Sequence, residues 1–337
     1  MPARRLVLGL LALGAALLVV AALGLVVGSA GISPGAVVRA LAGRADESSV
    51  EAVVTLSLRL PRIAVAALAG GALAVAGVAF QGLTRNPLAE PSVLGVSSGA
   101  AFGVVLAQSL GLGLTVLQAL GLTAFAFAGA LLAAGAVWLI AATGRSLAVP
   151  TLLLAGVIVG IFFSSAITVL ISLLDVNRLG GVIHWLLGNL GPIPPGPLAL
   201  FTAFALAGFW VVLGQARELN VLALGEETAL QLGVDAERLK RRIFAGAALL
   251  TATVVAFTGP IAFVGLIVPH SLRMVLGPDN RVLVPASFVG GAAFLVLADS
   301  VARTVIAPAE LSVGVITAFC GAPFFVYLLR TRYRVLA

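Results

Sequence analysis

Between Glu90 and Arg145 the chain carries no charged side chain, and the stretch 93–142 alone is 50 residues long. A soluble domain places charge on about a quarter of its residues. Here 10% are charged and 61% are hydrophobic. Such a composition cannot furnish a water-facing surface, so most of the chain must face lipid. Backbone polar groups in lipid have to be satisfied within the protein, which leaves helices or a closed barrel. Barrel strands alternate polar and apolar residues. These runs are unbroken and rich in Leu, Ala, Val and Gly, so the fold class is all-α and polytopic, one membrane domain over residues 1–337.

A helix needs about 20 apolar residues to cross a bilayer. The first run, "LVLGLLALGAALLVVAALGLVVG", has 23 residues without a charge. A signal peptide has a shorter apolar core, so a retained helix is expected. A polar stretch follows, with a short amphipathic segment near 34–42. The second span is expected at about 63–83. The 93–142 run holds two more, turning at 111–115. Further spans are expected at 149–174 and 198–214, with a long connection between them. The stretch 243–272 is uncharged but broken at Gly259–Pro260, a helix-breaking pair. Counting it as two segments leaves only Arg39, Arg44, Arg59, Arg62, Arg178 and Arg303 of the 20 basic residues on the outer side. Counting it as one would strand the C-terminal "LRTRYR" outside. The excess of Lys and Arg in cytoplasmic loops therefore selects ten membrane segments with both termini in the cytoplasm.

Several functions are excluded. The basic residues are scattered between spans rather than massed on one face, so nucleic acid is not the partner. No glycine-rich phosphate loop ends in Lys-Ser or Lys-Thr, and Lys240 is the only lysine. Cys320 is the only cysteine, and His184 and His270 are the only histidines. Neither histidine has a carboxylate at metal-ligand spacing, so no metal site, no catalytic residue and no intramembrane enzyme is expected. Autonomous ion or proton carriers place charges within their spans. Here every charge falls near a span end. Asp299 is the deepest, one turn before Arg303 and a local partner for it. The chain reads as a pathway driven from elsewhere, and a stand-alone secondary transporter is the competing class.

A separate engine needs a contact surface. The segment 215–242 supplies one, with short helices broken at Gly225 and Gly233. Glu226 and Glu227 suit a helix N-terminus, and Asp235 is a plausible N-cap for "VDAERLKRR". The alternative is a solvated loop whose basic end anchors a span.

Four long stretches carry a resemblance: "LRLPRIAVAALAGGALAVAGVAFQGLTRNPLAEPSVLGVSSGAAFG" (58–103), "LGEETALQLGVDAERLKRR" (224–242), "GPIAFVGLIVPHSLRMVLGPDNR" (259–281) and "ADSVARTVIAPAELSVGVITAFCGAPFFVYLLR" (298–330). With them the chain resembles FecCD-type permease subunits of binding-protein-dependent ABC importers for iron–siderophore chelates, haem and vitamin B12. Small departures are "PDNR" at 278–281, where many members have Asp-His-Arg, and Ser312, where proline is common.

The resemblance implies a homodimer in the bacterial inner membrane, two ATP-binding cassette subunits on its cytoplasmic side, and a periplasmic substrate-binding protein. No cofactor is implied in this chain, since ATP and magnesium belong to the ATPase. The resemblance further implies that Leu224, Glu226, Glu227, Leu232, Gly233, Val234, Asp235 and Arg238 form the ATPase-coupling surface. Arg59, Arg62 and Arg303 match outer-face arginines that pair with acidic groups of the binding protein; headgroup anchoring is the alternative. Asn86 and Leu88 fall at the inner gate, with Arg145 and Ser146 of the neighbouring turn; a plain structural turn is the alternative. Ser164, Ser165, Thr168 and Ser172 share one side of the fifth span. They either face the pathway or join helices.

Overall fold

The structure, a computed structural model, describes residues 3–28, 30–46, 48–111, 121–143 and 146–336. Arg145 and most of the turn expected at 111–115 lie outside these residues.

Helix α1 is Ala3–Val26. The amphipathic α2, Pro34–Leu41, follows, with the Ser33 hydroxyl accepting from the Ala36 amide as N-cap. A short turn, α3 (Val50–Ala52), runs through a π-helical stretch, Val53–Arg59, into α4, Leu60–Thr84. The second span thus begins about a dozen residues before its expected start. Pro61 has no N–H to give, and a proline normally breaks the α ladder. Here the wider turn just upstream pairs the Leu60 N–H with the Thr55 carbonyl, five residues back, and absorbs the defect.

After a 3₁₀ turn at Pro91–Leu94 come α5, Val96–Ser109, and α6, Gly121–Ala141. A two-stranded hairpin joins β1 (Ala142–Thr143) to β2 (Ser146–Leu147). Then follow α7 (Val149–Ser172), α8 (Val176–Leu186) and α9 (Pro195–Gly214). The segment 215–242 supplies two short helices, α10 (Ala216–Leu222) and α11 (Glu226–Gln231), and the first turns of α12 (Ala236–Thr258). Asp235 caps α12 as expected, its side chain accepting from the Arg238 amide at 2.9 Å. The chain breaks after Thr258 and resumes as α13, Val264–Leu276, so 243–272 forms two helices. Helices α14 (Asn280–Ala302) and α15 (Val313–Leu336) complete it.

Among the described residues, seven helices are long and apolar enough to cross a membrane, and three shorter apolar helices, at 96–109, 264–276 and 313–328, fill the remaining expected positions. Helix α4 is the axis of the bundle: 83% of its apolar window is buried, against 6% for α1 and 22% for α7. It packs on α12, α13 and α14, while α5 packs on α6. Close approach rests on glycine. A Cβ on Gly70 would overlap the Gly291 carbonyl of α14, and one on Gly99 would overlap the Gly129 carbonyl of α6. With no hydrophobic drive between helices in lipid, such small-residue contacts let backbones approach and gain dispersion energy.

Candidate functional site

Two polar networks stand at opposite ends of α4, and an open groove system lies between them.

At the first end, α1 stops and leaves carbonyls without intrahelical partners. Arg59 answers them: its Nη1 donates to Leu25 O (2.6 Å) and Val26 O (3.0 Å), and its Nη2 to Ala30 O (2.6 Å). Arg303 adds bonds to Val27 O and Gly24 O, both 3.2 Å. Cations at a helix C-terminus are favoured by its dipole. Asp299, 1% exposed, sits between Arg62 Nη2 at 2.9 Å and Arg303 Nε at 3.0 Å. Arg62 Nη1 also reaches Glu310 at 2.7 Å. Three guanidiniums thus face two carboxylates and a helix end. Arg59 and Arg303 are 5% and 3% exposed. The three arginines expected to reach a docking partner stand together, and most of their donors are engaged within the chain. The i,i+4 spacing of Asp299 and Arg303 signalled one pair; the carbonyls of α1 gave no sequence signal.

At the other end, α4 terminates at Arg85 in a left-handed conformation, and the Asn86 N–H bonds back to Gln81 O at 3.2 Å. The Asn86 Oδ1 accepts from the Leu88 amide at 3.0 Å, a local turn that fixes the chain before Pro91. Lys240, 2% exposed, is the hub of this end. Its Nζ donates to Glu226 Oε2 (2.7 Å), Glu237 Oε1 (2.9 Å) and Leu147 O (3.2 Å). The second oxygen of Glu237 accepts from the Leu147 amide at 2.6 Å. Arg85 reaches the free oxygen of Glu226 at 3.5 Å. Helix α11, helix α12 and the hairpin meet on one lysine, and the end of α4 joins through Glu226.

Within 224–238 the expected coupling residues divide. Leu224 and Leu232 are exposed, and so is Leu230, which the sequence reading did not single out. Glu227 and Arg238 are exposed near them. Val234 differs: it packs against the main core of this chain. The backbone explains it. Gly233 adopts φ +82° and turns the chain so that the Val234 amide bonds Ala229 O, directing the next side chain inward. Nearby, the Asn220 amide nitrogen donates to Asp279 at 2.7 Å, tying α10 to the start of α14. The Arg281 guanidinium beside Asp279 holds that carboxyl well below the usual range.

Between the two ends, Ser164, Ser165 and Thr168 line a groove of about 470 Å³ with Ser92, Gly95, Gly156 and Gly160. Ser172 lies a turn further along, bonded to Val169 O, and is not among those lining residues. A second groove, about 390 Å³, lies against α8 and α15 and includes Leu187, Ile261, Val315 and Phe319. Ser92 lines both. Behind it, Glu90 accepts from the Phe263 amide. Phe263 has φ +68°, an uncommon conformation for a bulky residue. Burial pushes the Glu90 carboxyl above the usual range, against the hydrogen bonds from Phe263 and Ser92.

The histidines have structural surroundings. His184 Nε2 and Asn189 Nδ2 are 2.6 Å apart, and His270 is buried beside Phe324. Among the described residues no cluster of His, Cys, Asp or Glu can hold a metal.

Compared with known proteins, residues 16–331 match the FecCD transport family. The chain belongs to that family. It is 46% identical over 280 residues to the cobalamin import system permease protein of Halobacterium salinarum, covering 83% of this chain and 74% of the relative. It is 39% identical over 278 residues to the hemin transport system permease protein of Yersinia pestis, covering 82% and 83%. Among solved structures, a chain of a metal-chelate type ABC transporter in an inward-facing conformation superposes with a TM-score of 0.83. That match has 31% identity and covers 96% of this chain and 99% of the other. This FecCD-family chain therefore has the architecture of a multi-pass transport permease.

Proposed function

We propose that the chain is the permease subunit of an ABC importer that takes up a bulky metal chelate, an iron–siderophore complex or haem, with cobalamin as the alternative cargo. The carrying observation is the family match over nearly the whole chain together with the structural match to a metal-chelate transporter. In this reading the working unit is a homodimer in the bacterial inner membrane, with both termini cytoplasmic. Two separate ATPase subunits bind the end marked by Lys240, and a periplasmic binding protein binds the end marked by Arg62.

The geometry supports this division. Leu224, Leu230 and Leu232 present apolar surface beside Glu227 and Arg238, as a protein contact requires. The two grooves are open in a single chain, and a second copy facing them encloses a cavity on the two-fold axis. In this reading Asn86, Leu88 and Ser146, with Arg145, form the inner gate of that route. Arg303 and Arg62 share Asp299, and Arg62, the least buried of Arg59, Arg62 and Arg303, meets the binding protein first. The test is uptake into vesicles that hold the permease, its ATPase and its binding protein, against a panel of siderophore, haem and cobalamin ligands. Uptake of one chelate with ATP is expected. Uptake that proceeds without the ATPase would restore the secondary-transporter reading.

A further inference from the structure

We propose that Lys240 is the positioning residue that makes the coupling helix α11 and strand β2 (Ser146–Leu147) move as one body; the inference rests on the importer reading. The chain has one lysine, and it is buried where α11, α12 and β2 meet. A lone headgroup anchor would hold its ammonium in water. This ammonium instead has three acceptors on three different elements: Glu226 on α11, Glu237 on α12 and the Leu147 carbonyl on β2.

The arrangement is two-sided at the hairpin. Leu147 is held by its carbonyl through Lys240 and by its amide through Glu237, while its own side chain is 1% exposed. A strand only two residues long has little pairing of its own to hold it. Core packing holds the Leu147 side chain, and the lysine–carboxylate pair holds its backbone on both faces. Glu226, in turn, is the first residue of α11, the helix that carries exposed Leu230. A push on α11 reaches the hairpin through two charge-assisted bonds, Glu226 to Lys240 at 2.7 Å and Lys240 to Leu147 O at 3.2 Å. Arg85, at 3.5 Å from Glu226, extends the same connection toward the Asn86 turn. Displacing α11 alone would take away one of the two carboxylates that pair this buried ammonium, which is costly.

The test uses the complete assembly in vesicles and reads ligand imported per ATP hydrolysed. Coupling energies between linked sites correspond to roughly 5–150-fold, so Lys240→Met is expected to lower that ratio at least about fivefold. Lys240→Arg, which keeps the cation and its donors, is expected to recover it. An unchanged ratio in Lys240→Met would overturn the inference while leaving the importer reading intact. Absence of uptake by the parent complex would remove the importer reading itself. A second measurement leaves Lys240 in place, in case the methionine variant does not fold. Spin labels at Leu230→Cys and Ala148→Cys, in a Cys320→Ser background, report the α11–hairpin separation with and without trapped nucleotide. A pair at Leu230→Cys and Leu200→Cys reports α11 against the far end of α9. The inference requires the first separation to hold and the second to shift. A shift in the first, or no shift in either, overturns it.

Discussion

Asp299 is the carboxylate on which two arginines converge, and its removal leaves their charges without a buried counterion. Breaking a buried pair from one side costs about 3–5 kcal/mol. Asp299→Ala should lower the stability of the purified permease by that order, read from unfolding in detergent. Glu310→Gln at the exposed side of the same network should cost far less, because exposed pairs contribute about 0–1 kcal/mol. The sequence made Asp299 and Arg303 legible, since they lie four residues apart on one helix. It did not make Arg59 legible, because that side chain bonds backbone carbonyls more than two dozen residues upstream. Any sequence supplies carbonyls, so a pattern of side chains cannot reveal them. Lys240 shows the intermediate case. Its uniqueness was visible, but its partners on α11 and β2 come together only in the fold.

Elements decide what a substitution in the 224–238 segment does. Leu232 and Val234 are two residues apart and equally apolar, and the sequence places both on a partner-facing surface. The structure leaves Leu232 61% exposed and packs Val234 on the core. Leu232→Asp should leave the chain's own stability within about 0.5 kcal/mol and, in the proposed importer, weaken association with the ATPase. Val234→Asp should instead destabilise the permease itself by about 1–3 kcal/mol, since it sets a carboxylate against this chain's core. Unfolding and co-purification of the two variants separate these effects. The same scale governs the helix crossings. Gly70→Ala forces a methyl against the Gly291 carbonyl, and overpacking of this kind costs about 1–3 kcal/mol. The break between α12 and α13 was legible from Gly259–Pro260. The Glu90–Phe263 tie that fixes it was not, because the two residues are 173 positions apart. Glu90→Gln keeps an acceptor for the Phe263 amide and should retain uptake, whereas Glu90→Ala should lose much of it.

Across the whole molecule, membrane physics made the architecture readable. Charge-free runs located the helices, and the distribution of 20 basic residues chose ten segments over nine. The early start of the second span escaped because Arg59 and Arg62 read as loop residues. They sit inside a continuous helix because α1 and Asp299 satisfy them there. In the importer reading proposed above, the chain is a conduit driven by a separate ATPase. The most direct test of that reading compares chelate uptake by vesicles containing the permease and binding protein with either an active ATPase or one whose catalytic carboxylate is replaced. Uptake against a gradient only with the active ATPase is the predicted result. Equal accumulation with the inactive ATPase would contradict the account.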